Sequence, residues 1–371
     1  MGIMVGLPSP SGSEKDLQLN FGKNMTVQVE MRAPHLPAEW HMQSGIQLTW
    51  PHAGTDWAYM LEEVQECFIR IAKEIAEREL LLIVTPEPEE VKKQISAVVN
   101  MDNVRFLKCA TNDTWARDHG AITMIDTGNP SLLDFTFNGW GLKFAAELDN
   151  QITKQAVEAG ALKGQYIDCL DFVLEGGSIE SDGMGTLLTT SECLLSPQRN
   201  GKLNQVEIEE YLKSTFHLQK VLWLDHGYLA GDDTDSHIDT LARFCSTDTI
   251  AYMKCTDEAD EHYEALLAME EQLKTFRTLA GEPYRLLALP MADKIEEDGE
   301  RLPATYANFL ILNEAVLYPT YNQPENDRKA GEVLQQAFPK YQIIGIDCRA
   351  LIKQHGSLHC VTMQYPMGVL K

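Results

Sequence analysis

The sequence predicts an α/β fold built from five similar units arranged around a common axis. Three observations lead to this prediction. Segments with the apolar spacing of helices alternate with short apolar strands along most of the chain. The order helix, strand, polar motif, strand occurs five times, and its motifs recur at a roughly constant interval. The alternative is an ordinary α/β sheet, in which helices and strands also alternate.

The first unit follows a helix with apolar spacing from Asp56 to Leu80 and the short strand "LLIV". Thr85 can cap the next helix, around residues 88–99. Pro86 and Pro88 suit its first turn, and the glutamates there favour the positive end of the helix dipole. The strand "VRFLK", the polar stretch "TNDTWARDHG" and the strand "AITMI" complete the unit.

The other four units repeat this order. Their helices are predicted near residues 150–159, 204–216, 257–279 and 326–338, and their motifs are "LEGGSIESDGMG", "GDDTDSHID", "PATYANF" and "HGSLHC". The five motif residues are separated by 57, 62, 71 and 52 positions and are Asp118, Glu175, His237, Asn308 and Cys360. Five motifs can meet only if the units surround a common axis, so we expect these side chains to line one pocket.

The composition restricts the partners. There are 31 basic and 55 acidic residues, and the formal charge of −24 argues against nucleic acid and anionic membranes. A small cationic substrate suits this charge, although on charge alone a solvated acidic surface that keeps the protein in solution is the better explanation. The eight cysteines form no CxxC pair, and neither a membrane-spanning run nor a secretory signal is recognised. We therefore expect free thiols and a cytoplasmic location, with residues 1–33 as a tail or edge extension.

Taken singly, the motifs are ambiguous. Asp118 fits a surface ion pair with Arg117 or a helix cap, and Glu175 fits a charge before a glycine turn. The stretch "GDDTDSHID" suggests a metal site, but a calcium loop needs a glutamate at a fixed distance, which is absent. His237 with Asp239 is insufficient for zinc, because no second clustered histidine is present. We predict neither a metal nor an organic cofactor.

Together, the motif residues fit one chemistry better. A cysteine thiolate attacks an electrophilic carbon, a histidine moves protons, and carboxylates hold a cationic substrate. The planar donor fork of a guanidinium matches carboxylates in bidentate geometry. A peptide carbonyl would require oxyanion donors instead. Two aspartates with a cysteine therefore indicate attack on a guanidino carbon.

At these residues the sequence resembles the agmatine deiminases and the related bacterial peptidylarginine deiminases, which belong to the guanidino-modifying pentein superfamily. The upstream stretch "LPAEWHMQSGIQLTWPHAGTDW" resembles the agmatine branch in particular, and the likeness covers nearly all of residues 36–366. The resemblance implies a five-bladed α/β propeller and a single catalytic domain over residues 34–371. It also implies deimination of agmatine to N-carbamoylputrescine and ammonia through a covalent cysteine thiouronium, a step towards putrescine.

The resemblance also implies roles for individual residues. Cys360 matches the nucleophile and His237 the general acid and base. Asp118 and Asp239 match the carboxylates that clasp the guanidinium. Glu175 matches the acid that orients the histidine or contacts the substrate.

Three further residues have less specific matches. Trp115 matches a tryptophan that lines the pocket. Asn308 matches a residue that shapes the site, but a turn-forming role is an alternative. Trp50 either closes the pocket or packs in the core. His359 is not expected to be the partner of Cys360, because consecutive residues on a strand point to opposite faces.

Several alternatives stay open. Arginine, free or in peptides, is the second substrate class, and its carboxylate would need a cation, for which Arg199 and Arg243 are candidates unless they form structural salt bridges. An inactive guanidino-binding protein is the third reading. The chain departs from the agmatine pattern at Ala121, in "HIDT", and before the cysteine, where a glycine run is absent. A homodimer is left open, as is whether the substrate cation or His237 favours the thiolate.

Overall fold

The strands of the computed structural model, which describes residues 34–126 and 129–371, form small sheets that share one topology. Within those ranges there are five sheets of three or four strands, in addition to a short hairpin of Glu296–Glu297 with Glu300–Arg301. In each sheet the first and second strands in spatial order pair antiparallel, and the second and third strands pair parallel. The repeated order predicted from the sequence is therefore confirmed, within an α/β fold.

The first sheet joins the two ends of the described chain and has a fourth strand. Its strands, in spatial order, are Thr362–Pro366, Gln43–Thr49, Leu80–Thr85 and Val104–Lys108. The other sheets follow along the chain: Ile122–Met124, Ser131–Thr136 and Gln165–Val173; Ile179–Ser181, Thr186–Thr190 and Lys220–Leu224; Ala242–Ser246, Thr249–Lys254 and Arg285–Pro290; Leu310–Ile311, Ala315–Thr320 and Gln342–Asp347. Four of the predicted polar motifs lie between the last strand of one sheet and the first strand of the next, whereas "LEGGSIESDGMG" itself contains the first strand of its sheet, Ile179–Ser181.

Helices cover the outer strands of these sheets. Those of seven or more residues are Leu61–Ala76, Pro88–Ile95, Ile152–Glu158, Gln205–Phe216, Tyr263–Thr275 and Pro324–Ala337. The helix Leu61–Ala76 buries Val64, Phe68, Ile71 and Ile75, whose spacing of three to four residues forms one apolar face. This periodicity explains why the sequence located the helices correctly.

Three predicted helices are shorter than expected: the one predicted around residues 88–99 ends at Ile95, and two others begin late. The segment expected from residue 56 begins as a 3₁₀ turn, Asp56–Met60, before the α-helix. The helix predicted from residue 257 starts at Tyr263. The carboxylates of Asp257 and Asp260 accept backbone N–H groups two residues ahead, at 3.0 and 2.9 Å, and such local bonds compete with helix formation.

The predicted tail, residues 1–33, lies outside the described residues. All eight cysteines are buried free thiols, as predicted. None of the helices within the described ranges is long and apolar enough to cross a membrane.

Candidate active site

Three of the five motif connections line a cleft of about 440 Å³ that reaches Cys360 and Asp118, whereas Glu175, His237 and Asn308 are not among the residues that line it. Trp115 and Trp140 line it, with their ring centroids 6.0 Å apart in an edge-to-face arrangement. Its wall is acidic, because it is also lined by Asp56, Asp113, Asp149 and Asp233. The cleft therefore combines a thiol, aromatic surfaces and carboxylates.

Asn308 fixes the turn that carries the thiol. The Cys360 thiol donates to Oδ1 of Asn308 over 3.4 Å, and the same oxygen accepts the backbone N–H groups of His359 and Cys360 at 2.8 and 3.3 Å. The Asn308 amide also donates to the backbone oxygen of Asp239 over 3.4 Å. The residue predicted to shape the site is thus fully buried beneath the turn of Cys360.

The surroundings of Cys360 are apolar and negative. Burial raises the pKa of the Cys360 thiol well above its ordinary value, and the charges of Asp239 and Asp118 raise it further. The unliganded site therefore holds a neutral thiol. Formation of a thiolate requires positive charge to enter the cleft or a base to remove the proton.

His237 contributes a neutral imidazole to the site. Burial lowers the pKa of His237 to about 3, although Asp239 opposes this effect, so the imidazole is neutral near pH 7. Its Nδ1 lies 3.6 Å from Oδ1 of Asp118. Its Nε2 is buried and finds no hydrogen-bond partner within the described ranges. A carboxylate oxygen of Glu175, the sulfur of Cys193 and a ring nitrogen of His237 lie within 4.8 Å of one another.

The two aspartates are both buried, but their pKa values shift in opposite directions. Burial and the nearby charge of Asp239 raise the pKa of Asp118 well above its ordinary value. Burial also acts to raise the pKa of Asp239, but the hydrogen bond and charge of His359 outweigh it, so this pKa is lowered. The surroundings of Asp118 therefore favour its protonated form, whereas those of Asp239 favour its ionised form.

Gly177 allows these groups to approach one another. A Cβ atom at this position would lie 2.6 Å from Nδ1 of His237, 2.8 Å from Oδ1 of Asp118 and 3.2 Å from Oδ2 of Asp239. The backbone N–H of Gly177 donates to Oδ1 of Asp118 over 3.0 Å. The second glycine of "LEGGS" is thus explained by close packing against three polar groups.

Trp140 holds the other oxygen of Asp118. Its indole N–H donates to Oδ2 over 2.9 Å. The residue lies in a left-handed turn, in which four successive residues have positive φ: Gly139 at 65°, Trp140 at 54°, Gly141 at 86° and Leu142 at 67°. This conformation is costly for non-glycine residues. Lys143, directly after the turn, donates to the backbone oxygen of Asp233 at 2.6 Å and to Oδ1 of Asp235 at 2.7 Å.

The two arginines considered for a substrate carboxylate form internal ion pairs. Arg199 donates from Nε to both oxygens of Glu175, at 2.9 and 3.0 Å, and from Nη1 to Asp235 at 2.6 Å. Arg243 pairs with Glu180 and, at 2.5 Å, with Glu39. Neither arginine lines the cleft. The structural salt-bridge alternative is therefore supported for both.

Among the residues that the structure describes, two groups of side chains have ligand types that could hold a metal ion. They are Glu175 with Cys193 and His237, and Glu39 with Glu180 and His359. In each group an arginine guanidinium already binds the carboxylates, which supplies the positive charge that a metal would bring. This arrangement fits the prediction of an active site that works without a metal.

The predicted tryptophans occupy different places. Trp115 lines the cleft, and a Cβ at Gly356 would lie 2.1 Å from its ring, so the chain before Cys360 packs directly on the indole. Trp50 is fully buried and packs against Phe68, with ring centroids 5.6 Å apart. Trp50 does not line the cleft. Its position corrects the prediction of a pocket role and fits the core alternative.

Several residues of the site were not predicted. Trp140, Cys193, Glu39 and Glu180 contact the predicted groups, and His359 bonds to Asp239 rather than to Cys360. The strand argument used for His359 does not apply, because the strand begins only at Thr362. The available signal was position: Glu39 lies in the stretch that begins "LPAEW", Glu180 in "LEGGSIESDGMG" and His359 in "HGSLHC".

Comparison with known proteins agrees with this geometry. The family profile described as Porphyromonas-type peptidyl-arginine deiminase matches residues 35–366. A curated protein named "Putative agmatine deiminase" from Legionella pneumophila is 32% identical over 347 residues, which covers 92% of this chain and 98% of that protein.

Solved structures give the same result. The "Putative Arginine Deiminase from Porphyromonas gingivalis" has a TM-score of 0.86 and 50% identity, with 91% of this chain and 100% of that chain covered. The C. jejuni agmatine deiminase with substrate bound has a TM-score of 0.84 and 39% identity, with 94% and 100% covered. The resemblance seen in the motifs is confirmed, and the chain belongs to the Porphyromonas-type peptidyl-arginine deiminase family.

Proposed function

We propose that this protein hydrolyses agmatine to N-carbamoylputrescine and ammonia. One observation carries the proposal: an acidic cleft ends at the Cys360 thiol beside Asp239, whose Oδ1 is buried and lacks a hydrogen-bond partner in the described part of the chain. A buried acceptor of this kind needs a donor. A guanidinium supplies planar N–H donors and the positive charge that this negative environment lacks.

The cation links binding to activation of the nucleophile. A guanidinium between Asp118 and Asp239 offsets the negative charges that raise the pKa of the Cys360 thiol. The same cation favours ionisation of Asp118, whose pKa is raised in the empty site. The thiol proton passes to neutral His237, and the sulfur attacks the central carbon to give a tetrahedral adduct.

Collapse of the adduct completes the reaction. His237 transfers the proton to the departing nitrogen, which leaves as ammonia, and a thiouronium stays bound to Cys360. Water, activated by His237, then attacks the same carbon, the carbon–sulfur bond breaks, and the ureido product leaves. Glu175, close to His237 and held by Arg199, keeps the ring in place.

The charges around the cleft favour agmatine over arginine. Agmatine carries a second cation, which suits the aspartates of the cleft wall, whereas arginine carries a carboxylate that needs a basic partner. Arg199 and Arg243 are both committed to glutamates. Lys143 lines the cleft, but its ammonium is bound to Asp233 and Asp235.

Three further proposals, two on the fold and one on the location of the protein, accompany this function. The five sheets of common strand order support a five-bladed α/β propeller with approximate fivefold arrangement. Residues 34–371 would form its single catalytic domain. The eight free thiols support a cytoplasmic location, where disulfides are rare.

Ammonia release with agmatine, free arginine and an arginine-containing peptide tests the proposal. We expect turnover with agmatine, at least tenfold less with the others, and none with Cys360→Ser, whose circular dichroism should match the wild type. If the arginine-containing peptide is turned over faster than agmatine, the protein is instead a deiminase of the second substrate class, peptidyl-arginine. Absence of turnover with every guanidine, from a folded protein, would overturn the enzymatic assignment.

A further inference from the structure

His359 lies between two carboxylates at the centre of the molecule. Its side chain is almost fully buried. Nδ1 is 2.8 Å from Oδ2 of Asp239, and Nε2 is 2.9 Å from Oε2 of Glu39. Nη2 of Arg243 lies 3.0 Å from the same Nε2. The imidazole therefore connects the candidate active site to the ion pairs beneath it.

The chemistry of the partners fixes the proton on one nitrogen. An ionised carboxylate only accepts hydrogen bonds, so Nδ1 must donate to Asp239. On the other side, Nε2 can donate to Glu39, or it can accept from Arg243. The Nδ1–H to Asp239 bond is present in both cases, so it does not depend on the total charge of the ring.

Because of this bond, the two oxygens of Asp239 are in different hydrogen-bonding situations. Oδ2 accepts from His359, whereas Oδ1 is buried and has no partner among the described residues. Asp118 differs, because Trp140 and Gly177 donate to its two oxygens. Asp239 therefore offers the one carboxylate oxygen of this pair that is free to bind a substrate N–H.

Groups below the ring prevent it from turning away. Oε1 of Glu39 accepts the backbone N–H of Ile311 over 2.7 Å, while Oε2 binds Arg243 at 2.5 Å. Arg243 is held in turn by Glu180 and by the backbone oxygens of Ala307 and Phe309, at 3.1 and 2.6 Å. The hydrogen-bonded network of Glu39 and Arg243 that holds the ring of His359 thus involves four separate segments of the chain.

We propose that His359 is a positioning residue, whose Nδ1–H fixes Oδ2 of Asp239 and thereby presents Oδ1 to the guanidinium. The inference rests on the proposed function, because it assigns the free oxygen to that substrate. The contrast between the two aspartates supports it: both are fully buried, but only Asp239, the one with a histidine partner, has a lowered pKa.

Two substitutions separate positioning from a general structural role. In His359→Asn the side-chain amide can replace Nδ1–H, whereas in His359→Gln the longer amide reaches towards Glu39. Agmatine binding is measured by calorimetry in the Cys360→Ser background, and kcat/KM in the Cys360 background. A hydrogen bond to a charged group is worth about 10- to 100-fold in affinity. We expect His359→Gln to lose this factor and His359→Asn to stay within about threefold of the parent.

Thermal unfolding of both variants checks the fold. Equal losses from two folded variants, or retention by Gln and loss by Asn, would overturn the positioning role. If one variant unfolds, the other decides: a folded Asn variant with more than tenfold loss, or a folded Gln variant without loss, contradicts the proposal. If the Cys360→Ser parent itself binds no agmatine, the proposed function fails, and this is seen before His359 is changed.

Discussion

Gly177→Ala tests whether the close approach of the catalytic groups matters. The added methyl would lie 2.6 Å from Nδ1 of His237 and 2.8 Å from Oδ1 of Asp118. An ordinary non-bonded contact is roughly 3.5 Å, so the imidazole or the turn has to move by about 0.9 Å. Gly177 is not among the glycines with positive φ, so alanine meets no backbone strain at this position.

The expected loss is large for activity and small for stability. Misplacement of a catalytic group by about 1 Å costs roughly 100-fold in rate, so we expect kcat/KM for agmatine to fall by about that factor. Replacing glycine by alanine also restricts the unfolded chain, which stabilises by about 0.4–1 kcal/mol and offsets part of the steric cost. The midpoint of thermal unfolding should therefore change by only a few degrees.

Steady-state kinetics and thermal unfolding are measured on the same preparations. Gly281→Ala is the matched control, because a Cβ there meets nothing within 4 Å, although φ is 85°. The control should lose some stability and keep its kcat/KM. Wild-type kcat/KM in a folded Gly177→Ala variant would refute the reasoning, since it would mean that the three groups do not act from these positions.

Further predictions concern Trp140 and Glu79. Trp140→Phe keeps the ring but removes the donor to Asp118, and we expect kcat/KM to fall about tenfold or more; an unchanged value would show that the bond is dispensable. Burial raises the pKa of Glu79 to about 7 from 4.5, so the folded state binds its proton more tightly than the unfolded state. Stability is then lost as pH rises between these values, by on the order of 3 kcal/mol. In Glu79→Gln, urea unfolding at pH 5 and 8 should show a smaller loss with pH than in the wild type, and an equal loss would contradict the assignment.

The sequence was sufficient for the parts of the fold that follow local patterns. Apolar periodicity located most helices and many of the strands to within a few residues, but the strands Gln43–Thr49, Ser131–Thr136 and Ile179–Ser181 were not predicted. The regular succession of motifs predicted that Asp118, Glu175, His237, Asn308 and Cys360 come together, and the family resemblance added Asp239. These side chains come from connections between sheets, and a repeated unit places each connection in an equivalent position.

The remaining parts depend on contacts between distant segments. Glu39, Arg243 and His359 form one network, but no periodic pattern relates three residues so far apart in the chain. Trp140 was missed because a Gly-Trp-Gly segment suggests a loop, and the left-handed turn that aims its indole appears only in three dimensions. For His359, the strand rule was applied to residues that belong to a turn.

The left-handed turn from Gly139 to Leu142 couples the position of Asp118 to that of Lys143, so a change on one side of the cleft affects the other side. Such a backbone persists only where neighbours hold it, since each non-glycine residue in it costs about 1–2 kcal/mol. Asp118 restrains one end through Trp140, and Lys143 ties the other end to Asp233 and Asp235. Replacing Asp118 would therefore release stored backbone strain and loosen the entrance as well as the chemistry. An inactive Asp118 variant is not a rigid copy of the enzyme with one charge removed, and a ligand complex obtained with it would represent a different cleft.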